Sequence, residues 1–162
     1  MIIDKMKDKI KGKNKVLVLP EGDDIRILKA AVRLHKENLC KPLLLGDISV
    51  IQKIAKDNNL DIEGIKILNP LEDKEFDNNV NKMFELRKGK NTLEECKKML
   101  SGRNYYAIML LYNGLADAAL GGATYSTADT MRPALQIIKT KPGCKIVSSC
   151  FALLKENSPT LI

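Results

Sequence analysis

Gly121 and Gly122, the hydroxyls of Thr124, Ser126, Thr127 and Thr130, and the guanidinium of Arg132 fall within one short stretch of the chain. Groups of this kind hold anions. The glycines let the backbone turn tightly, and the hydroxyls donate hydrogen bonds to oxyanions. A helix beginning here would add unpaired backbone amides and a partial positive charge. Arg132 offers a planar fork matched to a phosphate or a carboxylate. The same residues also satisfy a plain capped helix, with Ser126 or Asp129 as N-cap, Pro133 in the first turn, and Arg132 paired with Asp129 three residues back. Residue types alone leave both readings open.

A second loop of interest is acidic. Glu21, Asp23 and Asp24 follow Pro20 and precede a helical pattern. They suit a metal or a cationic group, but acids at a helix start more often serve as caps and dipole partners. Neither loop is a nucleotide fingerprint, since the chain has no G-x-G-x-x-G and no G-K-[ST]. The four cysteines, Cys40, Cys96, Cys144 and Cys150, form no C-x-x-C pair, which indicates neither a zinc site nor a disulfide framework. His35 is the single histidine and falls near the apolar positions of its helix, as a packed or partly exposed helix residue rather than a general base. No Ser-His-Asp or Cys-His arrangement can be assembled.

The elements that must carry these loops alternate between short aliphatic runs and helical stretches, which predicts a layered α/β fold. Strands are expected at 15–19, 42–45, 65–68 and 116–120, with helices at 24–38, 48–57, 74–87, 92–100, 104–112 and 130–139. The segment 145–154 is long and apolar enough for a further strand. Pro20–Asp24 and Gly121–Asp129 are then both strand-to-helix loops, and in open α/β sheets such loops line the ligand cleft.

Composition fits a folded domain, with 44% hydrophobic and 29% charged residues. No apolar run approaches the ~20 residues of a membrane span, and the opening ten residues are amphipathic rather than a signal peptide, so a cytoplasmic protein is expected. The net charge of +7 is mostly lysine spread over 5–15 and 88–98, with no tryptophan and few other aromatics to stack bases. A solvated basic face is expected, without nucleic acid as a partner.

Three segments, in order, resemble the phosphate acetyltransferases: Leu19-Pro20-Glu21-Gly22-Asp23-Asp24, Leu86-Arg87-Lys88-Gly89-Lys90, and the run from Ser126 to Gly143. The resemblance implies a layered α-β-α open sheet, isocitrate/isopropylmalate dehydrogenase-like, and reversible acetyl transfer between acetyl phosphate and coenzyme A. Coenzyme A is then a substrate, with no cofactor and no metal required. It implies that Arg87 and Arg132 bind substrate, with Ser126 and Thr127 as ligands of the phosphoryl end. A homo-oligomer is also expected, with dimers typical of the family, and butyryl transfer is the nearest competitor of acetyl transfer because no acyl pocket is identifiable in the sequence. Members of that family are about twice as long as this 162-residue chain. Their catalytic serine-arginine pair, the aspartate proposed to deprotonate the thiol, and much of the coenzyme site lie in the carboxy-terminal half. The expected organisation is a first α/β domain at 1–143 and the opening strands of an incomplete second domain at 144–162, with no catalytic residue assigned here. A noncatalytic phosphate-binding or assembly module that needs a separate carboxy-terminal chain is the competing expectation. A metal-dependent decarboxylating dehydrogenase is a weaker third.

Overall fold

The computed structural model describes residues 2–149. Its elements run α1 (Ile2–Ile10), β1 (Val16–Leu19), α2 (Ile25–Lys36), β2 (Lys41–Leu45), α3 (Ile48–Asp57), β3 (Lys66–Leu68), a 3-10 turn (Pro70–Glu72), α4 (Phe76–Leu86), α5 (Leu93–Leu100), α6 (Arg103–Tyr112), β4 (Ala118–Ala119) and α7 (Thr127–Ile137). The strands are parallel, in the order β3-β2-β1-β4.

The aliphatic runs of β1 and β2 form strands covered on both faces, because side chains alternate across a strand and both alternations here are apolar. Val18, Leu43 and Leu45 face one core with Met83 of α4, Cys96 and Leu100 of α5, Met109 of α6 and Ile137 of α7. Leu19 and Leu44 face the other, against Leu28 and Ala31 of α2 and Ile51 and Ala55 of α3. The result is the expected layered α-β-α sheet. Strand order reverses at β1, whose neighbours are β2 on one side and β4 on the other. Ligand crevices in open α/β sheets form at such a reversal, beyond the carboxyl ends of the strands.

Three expectations need correction. β4 is reduced to Ala118–Ala119, pairing with β1 only at Leu17↔Ala118 and Val18↔Ala119. α7 begins at Thr127 instead of near residue 130, which places Pro133 inside the helix and not in its first turn. Proline has no N–H to give the carbonyl four residues earlier, that of Asp129. Asn104 of α6 uses that vacancy, donating its side-chain amide to the Asp129 carbonyl at 3.2 Å. Residues 145–149 form no strand and are exposed, and the remainder of that expected strand lies outside the described residues.

α6 is fixed from below by a buried polar network. The Tyr106 hydroxyl donates to Asp73 at 2.7 Å and accepts from Asn79 at 3.1 Å, and Asn113 donates to Asn79 at 2.8 Å. Tyr106 also stacks on Phe76, with ring centroids 6.1 Å apart. α7 is less covered. Met131, Leu135 and Ile138 form an exposed apolar stripe along it, and Leu115 and Leu120 are exposed beside the β4 edge.

Candidate anion-binding site

The two loops singled out by sequence meet at the carboxyl ends of β1 and β4, and they meet through Glu21. This side chain is only 2% exposed. One carboxylate oxygen accepts from the amides of Gly122 at 2.8 Å and Ala123 at 2.9 Å. The other accepts from the Thr124 amide, from the Thr124 hydroxyl at 2.7 Å and from the Tyr125 amide at 3.1 Å. Burial opposes ionisation of Glu21. The hydrogen bonds from the Thr124 side chain and the backbone of Ala123, Thr124 and Tyr125 outweigh it, taking the pKa from 4.5 down to about 2. The loop is therefore an anion nest whose anion is supplied by the protein.

Sequence reasoning assigned the loop to an external ligand and weighed Glu21 as a cap or metal ligand. The structure commits four consecutive backbone amides to Glu21 instead. The positive φ of Gly122, 104°, allows the turn that aims them inward. A side chain at Gly121 would press on the Pro20 ring at 3.1 Å. Arg26 secures the opposite side of the loop. It donates to the Ala123 carbonyl at 2.9 Å while held in a fork by Asp24, at 3.0 and 2.7 Å.

Beyond the clamp lies a cleft of about 210 Å³ between α6 and α7, lined by Arg103, Asn104, Tyr105, Tyr125, Asp129 and Arg132. Arg132 is exposed on α7, 3.6 Å from Asp129, the partner expected from its spacing. Arg103 opens α6 and donates to Asp23 at 2.6 Å, which ties the cleft to the acidic loop. Tyr105 donates to Gln136 of α7 at 2.8 Å. Burial raises the Tyr105 phenol pKa, and the positive charges of Arg132 and then Arg87 oppose it.

Of the four expected ligands, Ser126 and Thr127 stand at the start of α7 and Arg132 in its middle. Ser126 is the N-cap, accepting from the Asp129 amide at 3.1 Å and donating to the Asp129 carboxylate at 2.7 Å. Both Ser126 and Thr127 are exposed. Arg87 stands apart as the C-cap of α4, donating to Asn91 at 2.9 Å, and does not line the cleft. His35 is half-buried on α2 against Gly64, a packed residue as expected. Among the described residues no cluster of His, Cys, Asp and Glu can hold a metal ion, and no helix is long and apolar enough to cross a membrane. Arg103, Tyr105 and Tyr125 went unrecognised, because a cleft between helix ends leaves no spacing signature. Pro133 has no N–H to give the Asp129 carbonyl, and Asn104 takes that place.

The family model for phosphate acetyl/butaryl transferases matches residues 1–162, the whole chain. The chain belongs to this family. It is 44% identical over 154 residues to a phosphate acetyltransferase of Staphylococcus aureus, covering 95% of this chain and 47% of the relative. A phosphate acetyltransferase of Staphylococcus epidermidis is 43% identical over 150 residues, covering 93% and 46%. Solved phosphotransacetylases from Streptococcus pyogenes and Staphylococcus aureus superpose with TM-scores of 0.86 and 0.83, at 44% and 45% identity, each covering 90% of this chain and 44% of its own. The chain thus spans about half the length of the relatives it matches. The motif segments resembling the family occupy the end of β1, the end of α4 and the start of α7, the positions from which Glu21, Arg87 and Arg132 project.

Proposed function

We propose that this chain supplies the acyl-phosphate-binding half of a phosphate acetyltransferase. The observation that carries the reading is the cleft at the sheet's reversal point, lined by Arg103 and Arg132, in a chain of that family. Arg132 is the principal cation for the phosphoryl group, with Ser126 and Thr127 beside it and Arg87 as a second positive charge from α4. In the reaction the thiol of coenzyme A loses its proton to a base, and its sulfur attacks the carbonyl carbon of acetyl phosphate. A carbon-sulfur bond forms, the carbon-oxygen bond to phosphate breaks, and inorganic phosphate leaves. The cations stabilise the charge on the departing phosphate. The base belongs to the other half of the family's length. Coenzyme A acts as a co-substrate, in the cytoplasm. Residues 1–143 form the first domain and 144–162 lead into a second. The exposed stripe of Met131, Leu135 and Ile138 favours a dimeric assembly.

The test is thioester formation from acetyl phosphate and coenzyme A. We expect none from this chain alone and measurable turnover when it is mixed with the carboxy-terminal half of the Staphylococcus aureus relative. In the mixture, Arg132→Ala should raise KM for acetyl phosphate about tenfold or more, through loss of a charge-assisted contact. The same change should alter stability by less than about 0.5 kcal/mol, because exposed ion pairs contribute little. Turnover by the chain alone would sink the assignment of the base to the other half. Failure to bind phosphate or to turn over in the mixture would sink the whole reading.

A further inference from the structure

We infer that Glu21 is the positioning residue of the anion site: its carboxylate occupies the glycine loop as a permanent internal anion and thereby sets where α7 begins. The inference rests on the cleft being a phosphate site, as proposed above, and names what holds that site in place.

The sheet itself does little to hold the loop. β4 pairs with β1 at two positions, and the last backbone bond before the loop runs from the Leu120 amide to the Val18 carbonyl at 3.0 Å. After that point Gly122, Thr124, Ser126, Thr127 and Ala128 are all exposed, so packing cannot fix their path. Five donors from 122–125 converge on one side chain at the end of the well-buried β1 strand. The next residue is Ser126, the N-cap of α7, and Arg132 follows six residues later. A shift of the loop therefore moves Ser126, Thr127 and Arg132 together. Tyr125, whose amide is held by Glu21, also lines the cleft.

A second consequence concerns the ligand. With the amides of 122–125 already committed, the phosphoryl oxygens are received outside the nest, by groups at the start of α7 and by Arg132. A neutral replacement cannot fill the nest. Glutamine is isosteric with glutamate, but its NH2 would face two N–H donors whichever way the amide is turned, those of Gly122 and Ala123 or those of Thr124 and Tyr125.

The experiment uses the full chain, with inorganic phosphate as the probe, read by phosphorus NMR, and with hydrogen exchange of the loop amides. Wild type should bind phosphate while the amides of 122–125 stay protected. Glu21→Gln should lose protection at those amides and weaken phosphate binding about tenfold or more, the scale of losing a charged hydrogen-bond acceptor. Thr124→Val, a gentler change that removes one donor and keeps the shape, should weaken binding by about threefold to tenfold. Ala55→Gly, which destabilises α3 in the core on the other face of the sheet, should lower the melting temperature and leave phosphate affinity unchanged. Unchanged affinity in Glu21→Gln and Thr124→Val, with wild type binding normally, would overturn the positioning role alone. So would loss of loop protection in wild type on adding phosphate, since it would mean the ligand displaces Glu21. Wild type that binds no phosphate would overturn the reading of the cleft and this inference with it.

Discussion

Gly22→Ala should cost about 3 kcal/mol of stability and lower the melting temperature by about 10 °C, the scale of overpacking in a domain of this size. A Cβ at Gly22 would sit 2.8 Å from the Leu45 carbonyl oxygen, 2.9 Å from Cδ1 of Ile51 and 3.1 Å from Cβ of Leu44. The Ile51 methyl can rotate away. The Leu45 oxygen cannot, because it is the end of β2 and already accepts from the Gly22 amide at 3.1 Å. The glycine is required here for space, and its φ is unremarkable. Relief by moving the backbone would pull on Glu21, the adjacent residue, so loss of stability and loss of phosphate binding should appear together. Denaturant melts with a loss below about 1 kcal/mol would contradict the close packing of the β1 and β2 ends.

Acid should weaken the hold on the loop as the Glu21 carboxyl takes up its proton. The Glu21 carboxyl has its pKa lowered from 4.5 to about 2 on folding, so the native state binds this proton less readily than the unfolded chain does. Its contribution is complete above pH 4.5 and is lost as pH falls toward 2. The size of that shift corresponds to about 3 kcal/mol. Asp24, held by Arg26, and Glu37, held by Arg33 and Lys7, also titrate near 2, so wild type alone would mix several carboxylates. The comparison that isolates Glu21 is the stability gap between wild type and Glu21→Gln, which should close by about 3 kcal/mol between pH 5 and pH 2. Carbon NMR of the Glu21 carboxyl gives the titration directly, even if the variant folds poorly. A midpoint near 4.5, or a gap independent of pH, would show that the five donors do not stabilise the charged form.

The layered fold was legible because β1 and β2 are apolar on both alternations and because α2, α3 and α5 carry clear caps in Asp24, Asp47 and Thr92. The pairing of Arg132 with Asp129 was legible from their spacing of three residues. What sequence could not supply was the direction of the loop amides. A glycine-rich turn before a helix reads the same whether its anion is a substrate or a side chain, and Glu21 lies about a hundred residues away. The short β4 was also hidden: Ala116–Leu120 is apolar enough for a full strand, but only two residues find partners on β1. Cleft residues such as Arg103 and Tyr125 come together only when helix ends are brought side by side.

The distance along the chain between Glu21 and its donors also governs when the site can form. The hydrogen bonds join residues 101–104 positions apart, and no local turn can stand in for them. Closing so long a loop has a large entropic cost before any contact offsets it, so the clamp can shut only after β1 and β4 have aligned. The anion site should therefore assemble late in folding, which folding rates of Thr124→Val that match those of the wild type would show. Weakening the clamp will act mainly by speeding the escape from the native state, while the rate of reaching it stays nearly the same.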